Sequence, residues 1–162
     1  MYVDFSLMPD TSRVWIYQAD REFTANELDK ISDRLKNFVS NWKRHGEDLK
    51  ASYKIEYNQF IILSVDENYN DVSGCSIDAS VHIIRDLQNE FKVDLLNKMN
   101  ISFKDGTNIN TVSLKDFKEF VKQQKINSST VVFNNMVVSK ADFELSWEVE
   151  ARHSWHNKFL MN

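Results

Sequence analysis

The sequence predicts an α+β domain in which a mainly antiparallel sheet is packed by three main helices. Three observations lead there. Two amphipathic segments of helical period alternate with runs of strand type, two hairpin signals set antiparallel pairs, and glycine and proline (3 and 1) are too scarce for a many-turned barrel. The 162 residues, 42% hydrophobic and 12% aromatic, suffice for one core. The expectation is therefore a single domain over 1–162, with a loose N-terminal arm over 1–12 and an irregular C-terminal tail over 148–162.

Arg13 to Gln18 alternates Val14 and Ile16 against Trp15 and Tyr17 and reads as a strand. Thr24-Ala25-Asn26-Glu27 is a capping box, and the helix it opens carries Leu28, Ile31, Leu35, Phe38, Val39 and Trp42 on one stripe. Gly46 is expected to end that helix, with Lys43, Arg44 and His45 set against its dipole. A hairpin follows: Ser52 to Tyr57, a turn at Asn58-Gln59, then Phe60 to Val65. The near-continuous apolar run of its second strand predicts burial on both faces.

Asp66 to Ser73 reads as a polar loop, and Ile77 to Phe91 as a second helix with Ile77, Val81, Ile84, Leu87 and Phe91 on its core face. A second hairpin joins Asn100–Lys104 to Asn108–Val112 through Asp105-Gly106. A third helix opens at Ser113 and runs to Gln124. Thr130–Phe133 and Met136–Val138 read as short strands joined by Asn134-Asn135, and Ser139 as the cap of a last short helix. The order through Phe103 is βαββαβ, the ferredoxin-like order, followed by a C-terminal extension.

Composition and motifs exclude several functions. The formal net charge is -4, the signs are mixed along the chain, and no basic face or polybasic run is visible. No apolar stretch approaches the ~20 residues of a spanning helix. Met1 to Asp10 lacks the basic start and apolar run of a signal peptide, and the one cysteine has no partner for an internal disulfide. The expectation is a cytoplasmic protein with no nucleic-acid or membrane partner.

Gly46, Gly74 and Gly106 precede Glu47, Cys75 and Thr107, so the Gly-Lys-Ser/Thr of a phosphate loop is absent; so are a dinucleotide turn and a serine-hydrolase elbow. His153 and His156 supply two close ligands where zinc needs more, and Asp66, Glu67 and Asp71 lack the calcium-loop pattern. No metal site and no cofactor are expected. Trp15, Tyr17, Tyr53 and Tyr57 could form a stacking face, but an acidic chain favours core or dimer packing for them.

What remains is Ser73-Gly74-Cys75-Ser76-Ile77-Asp78, placed between the polar loop and a helix start. Three readings fit it. Ser73 or Ser76 caps the helix, Gly74 makes the turn and Cys75 is a small packed residue. Alternatively, the free amides bind an anion or small molecule, with Ser73, Gly74, Cys75, Ser76 and Asp78 as the contact. In the third, Cys75 is a nucleophile whose thiolate those amides favour. The third reading needs a base. His82 lies seven residues along the same helix, about 10 Å of rise away, and reads as a solvated residue between Asp78 and Asp86. Only the fold could bring His45, His153 or His156 to Cys75.

The expected function is thus a non-catalytic module that binds a small molecule, an anion or a protein through the Ser73–Asp78 turn. The alternative is a cysteine-dependent enzyme using Cys75, and a third option is a structural subunit. The ligand or protein partner is open, and a homodimer is one candidate.

Several segments taken together carry a resemblance. They are Trp42-Lys43-Arg44-His45-Gly46, Phe60-Ile61-Ile62-Leu63-Ser64-Val65-Asp66, Ser73-Gly74-Cys75-Ser76-Ile77-Asp78, Thr130-Val131-Val132-Phe133-Asn134 and Ser154-Trp155-His156. In this order the chain resembles a family of small bacterial proteins often labelled "ABC transporter ATPase". The resemblance implies a bacterial source and assigns no catalytic residue. The label conflicts with the missing phosphate loop.

Overall fold

The computed structural model describes residues 1–160 and shows an α+β fold with four helices and antiparallel sheets. It comprises two compact units. One holds residues 1–96 with 138–141; the other holds residues 97–137 with those from 142 onward.

In the first unit, β1 (Arg13–Gln18), β4 (Ala51–Glu56) and β5 (Phe60–Val65) form a sheet in the order β1-β5-β4. Both pairings are antiparallel, with Ile16 and Lys54 opposite Ile62. All six residues of β5 are buried, as its unbroken apolar run requires of a central strand. Helix α1 (Ala25–Ser40) opens on the expected box: Glu27 N–H donates to Thr24 Oγ1 at 3.2 Å, and Thr24 N–H donates to Glu27 Oε1 at 2.9 Å. Its Ile31, Leu35 and Val39 share a core with Ile61, Leu63 and Val65 of β5 and with Ile84 and Leu87 of α2 (Gly74–Phe91).

Gly46 does not end α1. The helix stops at Ser40, where Asn41 N–H donates to Phe38 O at 3.1 Å. Trp42 is buried beyond it, and β2 (Lys43–Arg44) pairs with β3 (Glu47–Asp48). The two residues between them, His45 and Gly46, have φ of 49° and 84°. Two left-handed residues in succession make the tight turn that matches strand twist, so the glycine serves a hairpin. The β4–β5 turn likewise uses left-handed residues, Tyr57 and Asn58, one position earlier than the sequence suggests.

The arm over residues 1–12 is pinned rather than loose. Ala51 N–H donates to Met1 O at 3.0 Å and Val3 N–H to Ala51 O at 2.9 Å, while Phe5 and Met8 are buried. Apolar side chains and a free edge on β4 explain the docking.

In the second unit, β6 (Asn100–Asp105) and β7 (Asn108–Ser113) form the expected hairpin, with Gly106-Thr107 as its two-residue loop. The sheet order is β7-β6-β8-β9, with β8 over Val131–Phe133 and β9 over Glu148–Glu150. Helix α3 (Leu114–Lys122) starts at Ser113, whose hydroxyl accepts from Asp116 N–H at 3.1 Å. It sets Phe117 and Val121 against Ile101, Phe103 and Val132. The last short helix, α4, is Lys140–Ser146.

Three expectations change here. A ferredoxin-like sheet does not form, because β6 pairs with β7 and β8 instead of joining β1, β4 and β5. Met136–Val138 is not a strand. The tail from 148 is built into the unit: Val149 pairs with Val132, Ala151 and His156 are buried, and Trp155 and Phe159 pack on the core. Met161 and Asn162, at the end of the expected tail, lie outside the described residues.

Candidate functional site

Helix α2 begins at Gly74, three residues before the expected start at Ile77, so Gly74, Cys75 and Ser76 form its first turn. Ser73 is the N-cap. Ser76 N–H donates to Ser73 Oγ at 3.2 Å, and Ser73 N–H donates to Ser76 Oγ at 3.3 Å. A serine at the third helical position thus takes the place of the usual Glu or Gln of a capping box. The hydroxyl does further work, donating to Lys43 O at 2.9 Å. Trp42 Nε1–H donates to Ser76 O at 2.9 Å in the interior.

The fold therefore locks the Trp42–Gly46 hairpin onto the start of α2. These two segments lie thirty residues apart in the chain, and nothing in either sequence pattern signals their meeting. The meeting also supplies a cation that the local sequence lacks: the Arg44 guanidinium pairs with Asp71, in the loop leading into the cap.

The five residues selected from sequence divide by role. Ser73 and Ser76 are structural caps, and Ser76 is 1% exposed. Gly74 is exposed, its φ is not positive, and an added Cβ would meet nothing within 4 Å, so neither a strained turn nor a close approach requires glycine here. Cys75 is a free, exposed thiol rather than a packed residue. Asp78 is exposed on the next turn.

The corner holds unmet donors. Ser76 N–H is taken by Ser73 Oγ and Ile77 N–H by Ser73 O at 3.0 Å. Gly74 N–H and Cys75 N–H have no acceptor among the described residues, as expected where a helix begins. The two amides and the helix dipole favour negative charge.

Among the described residues no histidine is hydrogen-bonded to Cys75. His82 is exposed and pairs with Asp86 at 3.6 Å, as its solvated reading implied. His45 sits in the β2–β3 turn. His153 and His156 belong to the second unit. There, burial pushes the His156 imidazole down to about 4. Its Nδ1 lies 2.8 Å from Ser154 Oγ, and its Nε2 is buried with no partner among the described residues.

The second unit also contains a groove of about 810 Å³ that runs along the β6–β7 hairpin as far as its turn at Asp105 and Gly106. Phe103, Lys104, Asn110, Phe120, Lys125 and Thr130 are among its lining residues. The Lys125 ammonium lies 5.5 Å from the Phe120 ring centroid, and Lys104 pairs with Glu148 at 2.9 Å. None of the sequence-selected residues lines it. Its residues come from scattered segments, which leaves no motif to read.

Among the described residues no three His, Cys, Asp or Glu side chains are grouped to hold a metal ion, and no helix is long and apolar enough to cross a membrane. No protein-family model, no curated protein and no solved structure matches this chain.

Proposed function

We propose that the chain is a binding module that takes a small anionic group, a carboxylate or a phosphate, at the start of α2. One observation carries the reading: Gly74 N–H and Cys75 N–H, at the exposed start of α2, have no acceptor among the described residues, and Arg44 pairs with Asp71 in the loop that leads into the cap. An anion there would accept from the amides and face the positive end of an 18-residue helix. Ser73, Ser76, Trp42 and Lys43 hold the corner without being consumed by the ligand. Asp78 and the Arg44-paired Asp71 limit the charge the corner will accept, which favours a singly charged group.

Cys75 provides the test. An anion held by the first-turn amides occludes the thiol and repels a second negative charge. Alkylation of Cys75 by iodoacetamide should therefore slow along a saturable curve as inorganic phosphate or acetate is added. Arg44→Gln should shift that curve to higher anion concentration. Rates independent of both anions at constant ionic strength would remove the proposal.

The second reading, a cysteine-dependent enzyme, rests on the exposure of Cys75 in a helix's first turn. It requires a base to reach the thiol. An alkylation rate that has already reached its plateau below about pH 6, far under the ordinary thiol value near ~8.5, would favour it.

A further inference from the structure

The lysines of α3 share one side of the helix. Lys115, Lys118 and Lys122 stand at positions i, i+3 and i+7, so consecutive members of the row are neighbours on the helix surface. The tail adds a fourth. Lys158, in the 3-10 turn Trp155–Phe159, holds its ammonium 5.0 Å from the Phe159 ring centroid and 5.7 Å from that of Trp155. The Lys118 ammonium lies 5.1 Å from the same Phe159 ring, which joins the row to the tail. The two rings meet edge to face, with centroids 6.1 Å apart.

All four lysines are exposed, and among the described residues none forms an ion pair. Glu119, the carboxylate that flanks the row, accepts from Gln123 Nε2 at 3.3 Å. Like charges at this spacing repel, and an arriving anion would relieve them. The linear chain hides this face. Asp116 and Glu119 interrupt the lysines of α3, and Lys158 comes from a distant segment. The expectation of no nucleic-acid partner rested on that linear pattern.

We propose that this face binds the phosphate backbone of a single-stranded nucleic acid. Charge complementarity calls for a polyanion, since cations spaced along a helix match a chain of charges better than one small anion. Protein–protein interfaces are depleted in lysine and enriched in arginine. This face carries four lysines, and the second unit's one arginine, Arg152, pairs with Glu150. Trp155 and Phe159 stand half-buried beside the ammoniums. Aromatic rings next to cations suit a strand whose bases are unpaired, whereas a duplex stacks its base faces away. The rings also hold Lys118 and Lys158 in place, so less side-chain freedom is lost on binding. The inference is independent of the anion site on α2.

Fluorescence anisotropy of a labelled oligothymidylate of about 20 nucleotides, with the full chain titrated in, should show binding at about 50 mM salt. Its log affinity should fall with log salt at a slope of about −3, from ~0.7 per phosphate and four lysines. Lys118→Gln with Lys158→Gln should halve that slope and weaken binding about tenfold at the lowest salt. Lys30→Gln, on the exposed side of α1, should change neither. In the 15N-labelled wild-type protein, the oligonucleotide should shift amides of Lys115–Lys122 and Trp155–Phe159. No binding at about 50 mM salt, or a slope unmoved by the double variant, overturns the proposal. So does a duplex of the same length bound as tightly, or polyglutamate that competes equally at equal charge. Amide shifts confined to other segments overturn it as well, and that measurement needs no variant.

Discussion

Trp42 Nε1–H donates to the carbonyl oxygen of Ser76 at 2.9 Å, tying the segment after α1 to the first turn of α2. The indole is 2% exposed and lies between Phe38 and Trp15, with ring centroids 5.0 and 5.8 Å away. Trp42→Phe keeps an aromatic ring but deletes the donor and part of the packing. It should cost about 1–2 kcal/mol in denaturant unfolding, the value of one buried hydrogen bond with some lost contact. It should also loosen the corner and weaken its anion affinity.

Ser76 and Gly74 should respond in opposite directions. Ser76→Ala removes the acceptor for Ser73 N–H and the donor to Lys43 O, so a loss of about 1–2 kcal/mol is expected. Gly74→Ala adds a Cβ that meets nothing within 4 Å at a helical position. It should be neutral or stabilise by up to ~1 kcal/mol through the smaller entropy lost on folding. Urea midpoints of the two variants would show the contrast. A large loss in Gly74→Ala would contradict the account of the turn.

Acidification should weaken the fold in two windows. His156 is buried, and burial lowers its folded value from 6.5 to about 4. The unfolded chain then binds the extra proton, so this contribution is complete above pH 6.5 and lost as pH falls toward 4. The loss is ~3 kcal/mol at 1.36 kcal/mol per unit. Glu27 follows at lower pH. Hydrogen bonds from Arg21, then from Thr24 N–H, hold its carboxyl at about 2 instead of 4.5, so its contribution fades between those values. In urea titrations at several pH values, His156→Phe should flatten the upper window and leave the lower one in place.

His82 should be dispensable for stability. Its side chain is 72% exposed and its link to Asp86, at 3.6 Å, is a surface pair. His82→Gln should change stability by less than ~0.5 kcal/mol in denaturant unfolding.

Local chemistry was legible in the sequence, and long-range pairing was not. The Thr24–Glu27 box, the buried run Phe60–Val65 and the Asn100–Ser113 hairpin are set by neighbours a few residues apart, and the structure holds each of them. The ferredoxin-like order failed because element order does not say which strands pair: β6 found β7 and β8. Gly46 misled because glycine after a helical stripe serves a helix end and a left-handed turn equally well. At the candidate site a cap at Ser73 or Ser76 was visible, but the helix starts three residues before the expected Ile77, and the hairpin that reaches it left no local signal. Ser76 and Ser80 face the core of α2, a small polar stripe that hydrophobic periodicity passes over in favour of Ile77 and Val81.

The anion site is tested most directly by titrating inorganic phosphate into uniformly 15N-labelled protein at constant ionic strength. The account predicts saturable shifts centred on the amide resonances of Gly74 and Cys75, both reduced in Arg44→Gln. Amides at Gly74 and Cys75 that stay in place while others shift, or that drift linearly without saturation, would contradict it.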